Sequence, residues 1–523
     1  MPALTGGTML LWIAGIVLQH ALKPFPSQDD ASQHIVWFRQ FMPGAPLPAS
    51  EIADYFIGSN GALFVALYRA IAMAGIDPVA AAWVVGLASA LVAALAIGRT
   101  VAALGGGGWA AAVAPALMLV YLQGFDDIHS GAARAIGWGF LGMALWMLAR
   151  DRALAFAAVL AVAAFVYPTV VALALAIACL WQALRLWEDR DGRMALRWLP
   201  AGLFPALLLL YALSGHDPWG PTVSLGEARA LPDFAADGRT PLFGGGWFDR
   251  WLVSNRLGLF PDKTRTLALM HGAALAAVLM GLAGARVRRF LGTALAATVI
   301  LWLAAQLTLF TLYLPARFPT YGFATVSVLA AALLFGRLLE TGRHRAAALG
   351  GVLLIGSIAV IGEDWPDAGL KGVHSPRLVQ AVQAAAPGRA AGLSSDIDRL
   401  PILGWRDVYW GREFSQGYKN RYRDLMLARS QALVAAIVSA RPEAVAEFLS
   451  ANGIGVVMLP ADLWRPADQN WVRGLYPAER AKLTAPGAEA RSWLWRQTQC
   501  MTQGERDRLY DAACLIRAAG AAR

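Results

Sequence analysis

The residues best able to do chemistry in this 523-residue chain are acids set beside long apolar runs. Ser27-Gln28-Asp29-Asp30-Ala31-Ser32-Gln33-His34 follows the first such run, Thr8 to Leu22, across a bend at Pro24 and Pro26. If that stretch is helical, Asp30 and His34 are four residues apart and share one face. A second acidic pair, Asp126-Asp127, shortly precedes His129, and Asp54 follows the first group in the same polar segment. Arg317 stands between Pro315 and Pro319. A carboxylate can take the proton of a poorly nucleophilic hydroxyl, and an arginine can receive charge gathering on a leaving phosphate. Ionisable groups beside a bilayer are costly and tend to mark function. The set therefore suits transfer of a sugar from a polyprenyl-phosphate donor at a membrane surface. Each residue also has a plainer reading. Asp29 or Asp30 caps the helix through Ile35, Phe38 and Phe41; Arg317 is an interfacial anchor. His34 and His129 hydrogen-bond neighbouring carboxylates or backbone, which carries more weight than a two-His, two-Asp metal site.

The elements that must position these residues are membrane spans. The chain is 57% hydrophobic and only 15% charged, against about 25% charged in ordinary soluble proteins. A net charge of +10 could suggest nucleic acid, but the arginines sit in short loops between apolar runs, so no nucleic-acid partner is expected. The first run lacks the basic start and small-residue cleavage pattern of a signal peptide and reads as a retained helix. About eleven spans are expected, at 8–22, 79–98, 108–123, 131–149, 153–166, 168–186, 198–213, 265–284, 290–312, 319–336 and 345–361. Residues 60–76, with Tyr68 and Arg69, read as an amphipathic helix lying on the membrane.

Charge chooses the topology. With a cytoplasmic N-terminus and 60–76 uncrossed, Arg99, Arg150, Arg152, Arg185, Arg190, Arg193, Arg197, Arg286, Arg288, Arg289, Arg337, Arg343 and Arg345 all fall inside. The outer face then carries the first loop (23–78) with its acids, Asp126 to His129, a long loop at 214–263, Arg317 and the tail. That loop holds His216, Asp217, Glu227, Asp233, Asp249 and Arg250. The layout is a transmembrane domain at 1–361 and a separate extracytoplasmic α+β domain at 362–523. In the tail, helical patterns run from Leu378 to Ala386, Arg421 to Ala440 and Pro442 to Asn452, and Gly455 to Leu459 is a buried strand. Cys500 and Cys514 would lie in an oxidising compartment, which predicts a disulfide. Trp247, Trp251, Trp405 and Trp410 lie in outer segments beside charged groups and are candidates for stacking on sugars.

An acidic pair straight after the first span, in the first outer loop, resembles the GT-C glycosyltransferases. That resemblance implies a polytopic membrane enzyme using a polyprenyl-phosphate-linked sugar, with a glycan or lipid acceptor. By position, Asp29 and Asp30 match the first acidic motif, as catalytic base or metal ligands, and Asp126 and Asp127 the second. His34, Asp54, His129 and Arg317 would join them in substrate binding. A divalent cation, Mg or Mn, would take Asp30 and Asp127 as ligands. The run Leu312 to Phe318 is similar to a motif of bacterial membrane proteins of this type, which also carry a Gln-Asp-Asp…Gln-His stretch. The bacterial inner membrane is the implied location. An amphipathic helix in the first loop and an outer C-terminal domain are usual in that superfamily. No Trp-Trp-Asp signature of peptide glycosylation occurs in the tail.

Two readings from other classes compete. A flippase for lipid-linked sugars would show charged residues within spans and repeat symmetry, and the sequence has little of either. A non-catalytic assembly protein for envelope polysaccharide would bind through its tail and tolerate changes in the acidic pairs.

Overall fold

The apolar runs form helices that pass back and forth between two unlike ends. The structure, a computed structural model, describes all residues except 1, 23–26, 29, 124–127, 190–191, 215–216, 237, 245, 262–280, 282–283, 313, 344–369, 372–375, 466–474 and 522–523. Helix α1 spans Pro2–Leu22, and two short helices, α2 (Glu51–Gly58) and α3 (Ala62–Met73), follow in the first loop. The bundle continues with α4 (Pro78–Ala103), α5 (Gly108–Gln123), α6 (Ala133–Ala149), α7 (Ala153–Ala164), α8 (Pro168–Asp189) and α9 (Gly192–Leu213). A short α10 (Leu225–Ala230) lies in the long loop, and α11 (Ala285–Thr308) and α12 (Arg317–Glu340) complete the described bundle. Five of these helices are long and apolar enough to cross a membrane, and α5, α6 and α7 are shorter and apolar. The expected spans at 265–284 and 345–361 fall almost wholly outside the described residues.

Small residues bring the helices close, as is usual where van der Waals packing drives association. Ser89 of α4 donates to the Ala135 carbonyl at 3.0 Å and accepts from the Gly139 amide at 3.2 Å, and further along both helices Gly142 lies against Ala93, so α4 and α6 run parallel. Gly131, at φ +62°, lies against the Ala82 backbone, where a Cβ would collide. That contact pins the 128–132 turn to the start of α4.

Helix α3 stays at one end of the bundle. The Leu63 amide donates to the Phe165 carbonyl between α7 and α8, the Tyr68 hydroxyl donates to the Gly131 carbonyl at 2.7 Å, and Asp77 then caps α4 through the Val79 amide. Phe64, Tyr68 and Ala72 form its buried stripe.

The tail packs helices on a five-stranded mixed sheet. Its strands are β3 (Arg389–Gly392), β4 (Val408–Trp410), β5 (Ile454–Pro460), β6 (Met501–Gln503) and β7 (Asp507–Asp511), in the order β4-β3-β5-β7-β6. β5 is the strand expected near 455–459, and all seven of its residues are buried, as suits an apolar central strand. It pairs in parallel with β3 and antiparallel with β7. Helices α13 (Pro376–Ala384), α14 (Asn420–Val438), α15 (Pro442–Ala451), α16 (Pro477–Thr484) and α17 (Ala512–Ala521) complete it. Cys500 and Cys514 are joined, with Cα atoms 5.5 Å apart.

The tail does not stand apart from the bundle. A single apolar cluster runs from the helices through Trp37 and Phe56 of the first loop to Phe414, Tyr422 and the sheet. A two-residue strand, β1 (Ser27–Gln28), pairs antiparallel with β2 (Leu370–Lys371) at the start of the tail.

Candidate functional site

Asp30 opens a single π-helical turn, Ala31–Ile35, directly after β1. That turn sets Asp30 and His34 against the start of α6. Asp30 is 4% exposed, and its Oδ2 takes both Nε and Nη2 of Arg134, in the first turn of α6. The Arg134 carbonyl in turn accepts from the Tyr321 hydroxyl at 2.5 Å. Tyr321 lies one turn after Arg317 on α12, so the two share a face. Its ring centroid is 4.3 Å from that of Trp138 and 5.8 Å from that of Tyr167.

His34 sits in the field of both arginines. Burial, and then Arg134 and Arg317, lower its pKa from 6.5 to about 3. The imidazole is therefore neutral at physiological pH. Its ring meets Phe56 edge-on at 5.5 Å, and its Nδ1 is enclosed without a hydrogen-bond partner. A neutral imidazole, a carboxylate and two guanidinium groups thus converge from the first loop, α6 and α12.

The same turn is gripped from the other side. Gln33 donates to Glu413 Oε2 at 2.9 Å and accepts from Gln416 at 3.0 Å, both in the tail. Arg239 of the long loop reaches Glu413 at 3.2 Å and the Arg412 carbonyl at 2.5 Å. Six residues on, the buried Arg39 makes a two-point contact with Asp77 at 3.0 and 2.8 Å. It also donates to the Pro401 and Ile402 carbonyls at 2.9 and 2.7 Å and lies 3.7 Å over the Trp405 ring. Tyr55 stacks on Tyr422 with centroids 3.5 Å apart.

No family model matches the sequence, and no curated protein does. Solved structures do. The archaeal oligosaccharyltransferase AglB from Archaeoglobus fulgidus, in complex with an inhibitory peptide and a dolichol-phosphate, aligns over 91% of this chain and 71% of its own, at TM-score 0.56 and 11% identity. ArnT from Cupriavidus metallidurans, in the apo state, aligns over 98% of this chain and 99% of its own, at TM-score 0.52 and 14% identity. The fold is GT-C. An Archaeoglobus fulgidus oligosaccharyltransferase in complex with Zn and sulfate also matches, at TM-score 0.50 and 10% identity, over 88% of this chain and 68% of its own.

On this shared frame, the sequence-expected residues fare unequally. Asp30 and His34 lie by Arg134, and the charge of Arg317 acts on His34. Asp29, Asp126, Asp127 and His216 lie outside the described residues. Asp54 does not join the group: it is exposed, because Phe56 turns inward to His34 and residues two apart on a helix face opposite ways. His129 sits elsewhere, buried between Trp12 and Trp83 with centroids 5.9 and 6.2 Å away. Both its ring nitrogens lack hydrogen-bond partners, and burial lowers its pKa to about 4. Trp410 is buried in β4, Trp251 packs edge-on against Trp302, and Trp405 is the platform for Arg39. Trp247 remains exposed.

Arg134, Tyr321, Gln33, Glu413 and Arg239 were missed. Arg134 carried a readable signal: it is a lone cation within the apolar 131–149 run, at the end opposite the basic clusters. The described donors do not fit a divalent cation. No group of three or more His, Cys, Asp or Glu occurs among the described residues. Asp30 is engaged by Arg134, and a cation at His34 would face two arginines that already act on it.

Proposed function

We propose that this chain is a membrane glycosyltransferase that moves a sugar from a polyprenyl-phosphate donor to an extracytoplasmic glycan or lipid. The observation that carries the reading is the convergence of Arg134 and Arg317 on the first-loop acid segment at Asp30 and His34. The GT-C fold supports it, and the AglB neighbour is a complex with a dolichol-phosphate.

In this reading a first-loop carboxylate, Asp29 or Asp30, accepts the proton of the acceptor hydroxyl. The oxygen attacks the anomeric carbon from the face opposite the phosphate, the carbon–oxygen bond to phosphate breaks, and the configuration inverts. The departing phosphate gathers negative charge beside Arg134 and Arg317, where fixed guanidinium groups stabilise it. Neutral His34 adds no competing cation and hydrogen-bonds a substrate oxygen through its ring. In this reading Asp126 and Asp127 act on the substrate as a second acidic pair. No step is routed through a metal.

The basic end of the bundle faces the cytoplasm, by the bias of Lys and Arg to that side. The acid segment, the long loop and the tail face outward, and the chain resides in a bacterial inner membrane. A Cys500–Cys514 bridge suits that oxidising side. The test is release of polyprenyl phosphate by reconstituted protein from a panel of polyprenyl-phosphate sugars. Asp30→Asn should lower the rate about 10²–10⁴-fold, and Arg317→Gln about 10²-fold. Undiminished release by both Asp29→Asn and Asp30→Asn overturns the assignment.

A further inference from the structure

The long loop holds a cation that the reaction above does not use. Arg250 belongs to a short π-helical turn, Asp249–Val253. It lines a cleft of about 300 Å³ with Pro241, Leu242, Asp249, Val253 and Ser254. Its guanidinium lies 4.8 Å over the Phe243 ring, and its Nε is enclosed with no hydrogen-bond partner. It forms no ion pair with any described carboxylate. Burial, and then Arg229, disfavour its charged form. An enclosed donor without an acceptor is costly, and a guanidinium beside a second cation invites an anion.

The cleft is built on the bundle. Leu242 packs in a cluster with Leu257, Leu309, Phe310 and Leu314. The Leu257 carbonyl accepts from Trp302 at 2.8 Å and Gln306 at 2.5 Å, and the Arg256 carbonyl accepts from the Ala316 amide at 3.0 Å. Its floor is therefore fixed to the α11–α12 connection that carries Arg317.

We propose that this cleft binds an anionic sugar unit, with Arg250 on its carboxylate and Asp249 accepting from its hydroxyls. The volume exceeds what a bare ion needs: a water occupies about 30 Å³ of liquid. The Pro241, Leu242 and Val253 walls suit the apolar face of a hexose. Trp247 and Phe248, both more than half exposed, lie between Leu242 and Asp249 in sequence and offer a surface for a neighbouring sugar. The ligand is part of the acceptor; that word alone rests on the transfer reading.

The test is a saturation-transfer NMR titration of the full chain in detergent with glucuronate, glucose and inorganic phosphate. With about 13 heavy atoms, glucuronate should reach half-saturation at roughly 1 mM. Arg250→Gln should weaken it at least about tenfold, and Arg250→Lys less, since an ammonium lacks the planar fork. A thermal melt checks the fold of each variant. If Arg250→Gln fails to fold, Arg229→Gln, outside the cleft lining, should weaken binding several-fold at low salt and less at high salt. Glucose or inorganic phosphate binding as tightly as glucuronate, no saturation by glucuronate, or undiminished binding by the folded variants overturns the proposal. None of these readouts involves turnover, so loss of the catalytic reading leaves the binding result intact, and the reverse holds too.

Discussion

The two ends of the helical bundle use charge in opposite ways. At one end, Arg185 reaches Asp151 at 3.2 Å and Arg289 pairs with Glu188, with side chains about a quarter to a half exposed. These pairs join helix ends that are neighbours in the bundle. At the other end, Arg39, Asp30, Asp233 and Asp407 are almost wholly enclosed. Their partners are Arg423 for Asp233, Arg389 for Asp407 and Arg134 for Asp30. Water screens the first set, so each pair contributes little. The second set has given up its water, so each partner is needed. The difference separates anchoring from the construction of an enclosed polar cluster.

The largest break of this contrast is a matched pair of neutralised acids. Asp30→Asn should lower sugar transfer about 10²–10⁴-fold, while Asp151→Asn should change unfolding by under about 1 kcal/mol and leave transfer near wild type. Transfer rates and melts of both decide it. Next, Arg39→Ala should cost about 3–5 kcal/mol, because it strips a buried charge from Asp77 and two tail carbonyls. Limited proteolysis should then cut the tail sooner. Replacing Cys500 and Cys514 with Ser should cost about 2–4 kcal/mol and lower the unfolding midpoint under non-reducing conditions only.

Acid sharpens the comparison. His34 and His129 both titrate lower in the folded chain, at about 3 and about 4, than their ordinary 6.5. Between those values and 6.5 the unfolded chain binds more protons, so stability falls as pH falls through that window. Above 6.5 neither contributes a slope. His34→Gln should flatten the acid limb of a pH–stability profile while leaving it unchanged above pH 7. The smallest effect belongs to Arg289→Gln, at under about 1 kcal/mol and fading with salt.

What was legible in the sequence follows from what is local. Apolar runs show themselves by length, and β5 shows itself as Ile-Gly-Val-Val-Met-Leu. Ser27 to His34 announces chemistry by its acids beside a span. Partners across the chain leave no such mark. Nothing in Arg134 names Asp30, 104 residues earlier, and nothing in Gln33 names Glu413, 380 residues later. β3 reads Arg-Ala-Ala-Gly, residues that rarely favour strands, and it exists because β4 and β5 pair with it. Asp54 failed because helix phase, not proximity in sequence, decides which side chain faces inward.

Arg39 has a mechanical consequence. One guanidinium grips the cap of α4, two carbonyls of the tail and the Trp405 ring at once. A torque on the tail is delivered straight to α4, so the tail is a fixed canopy and not a swinging arm.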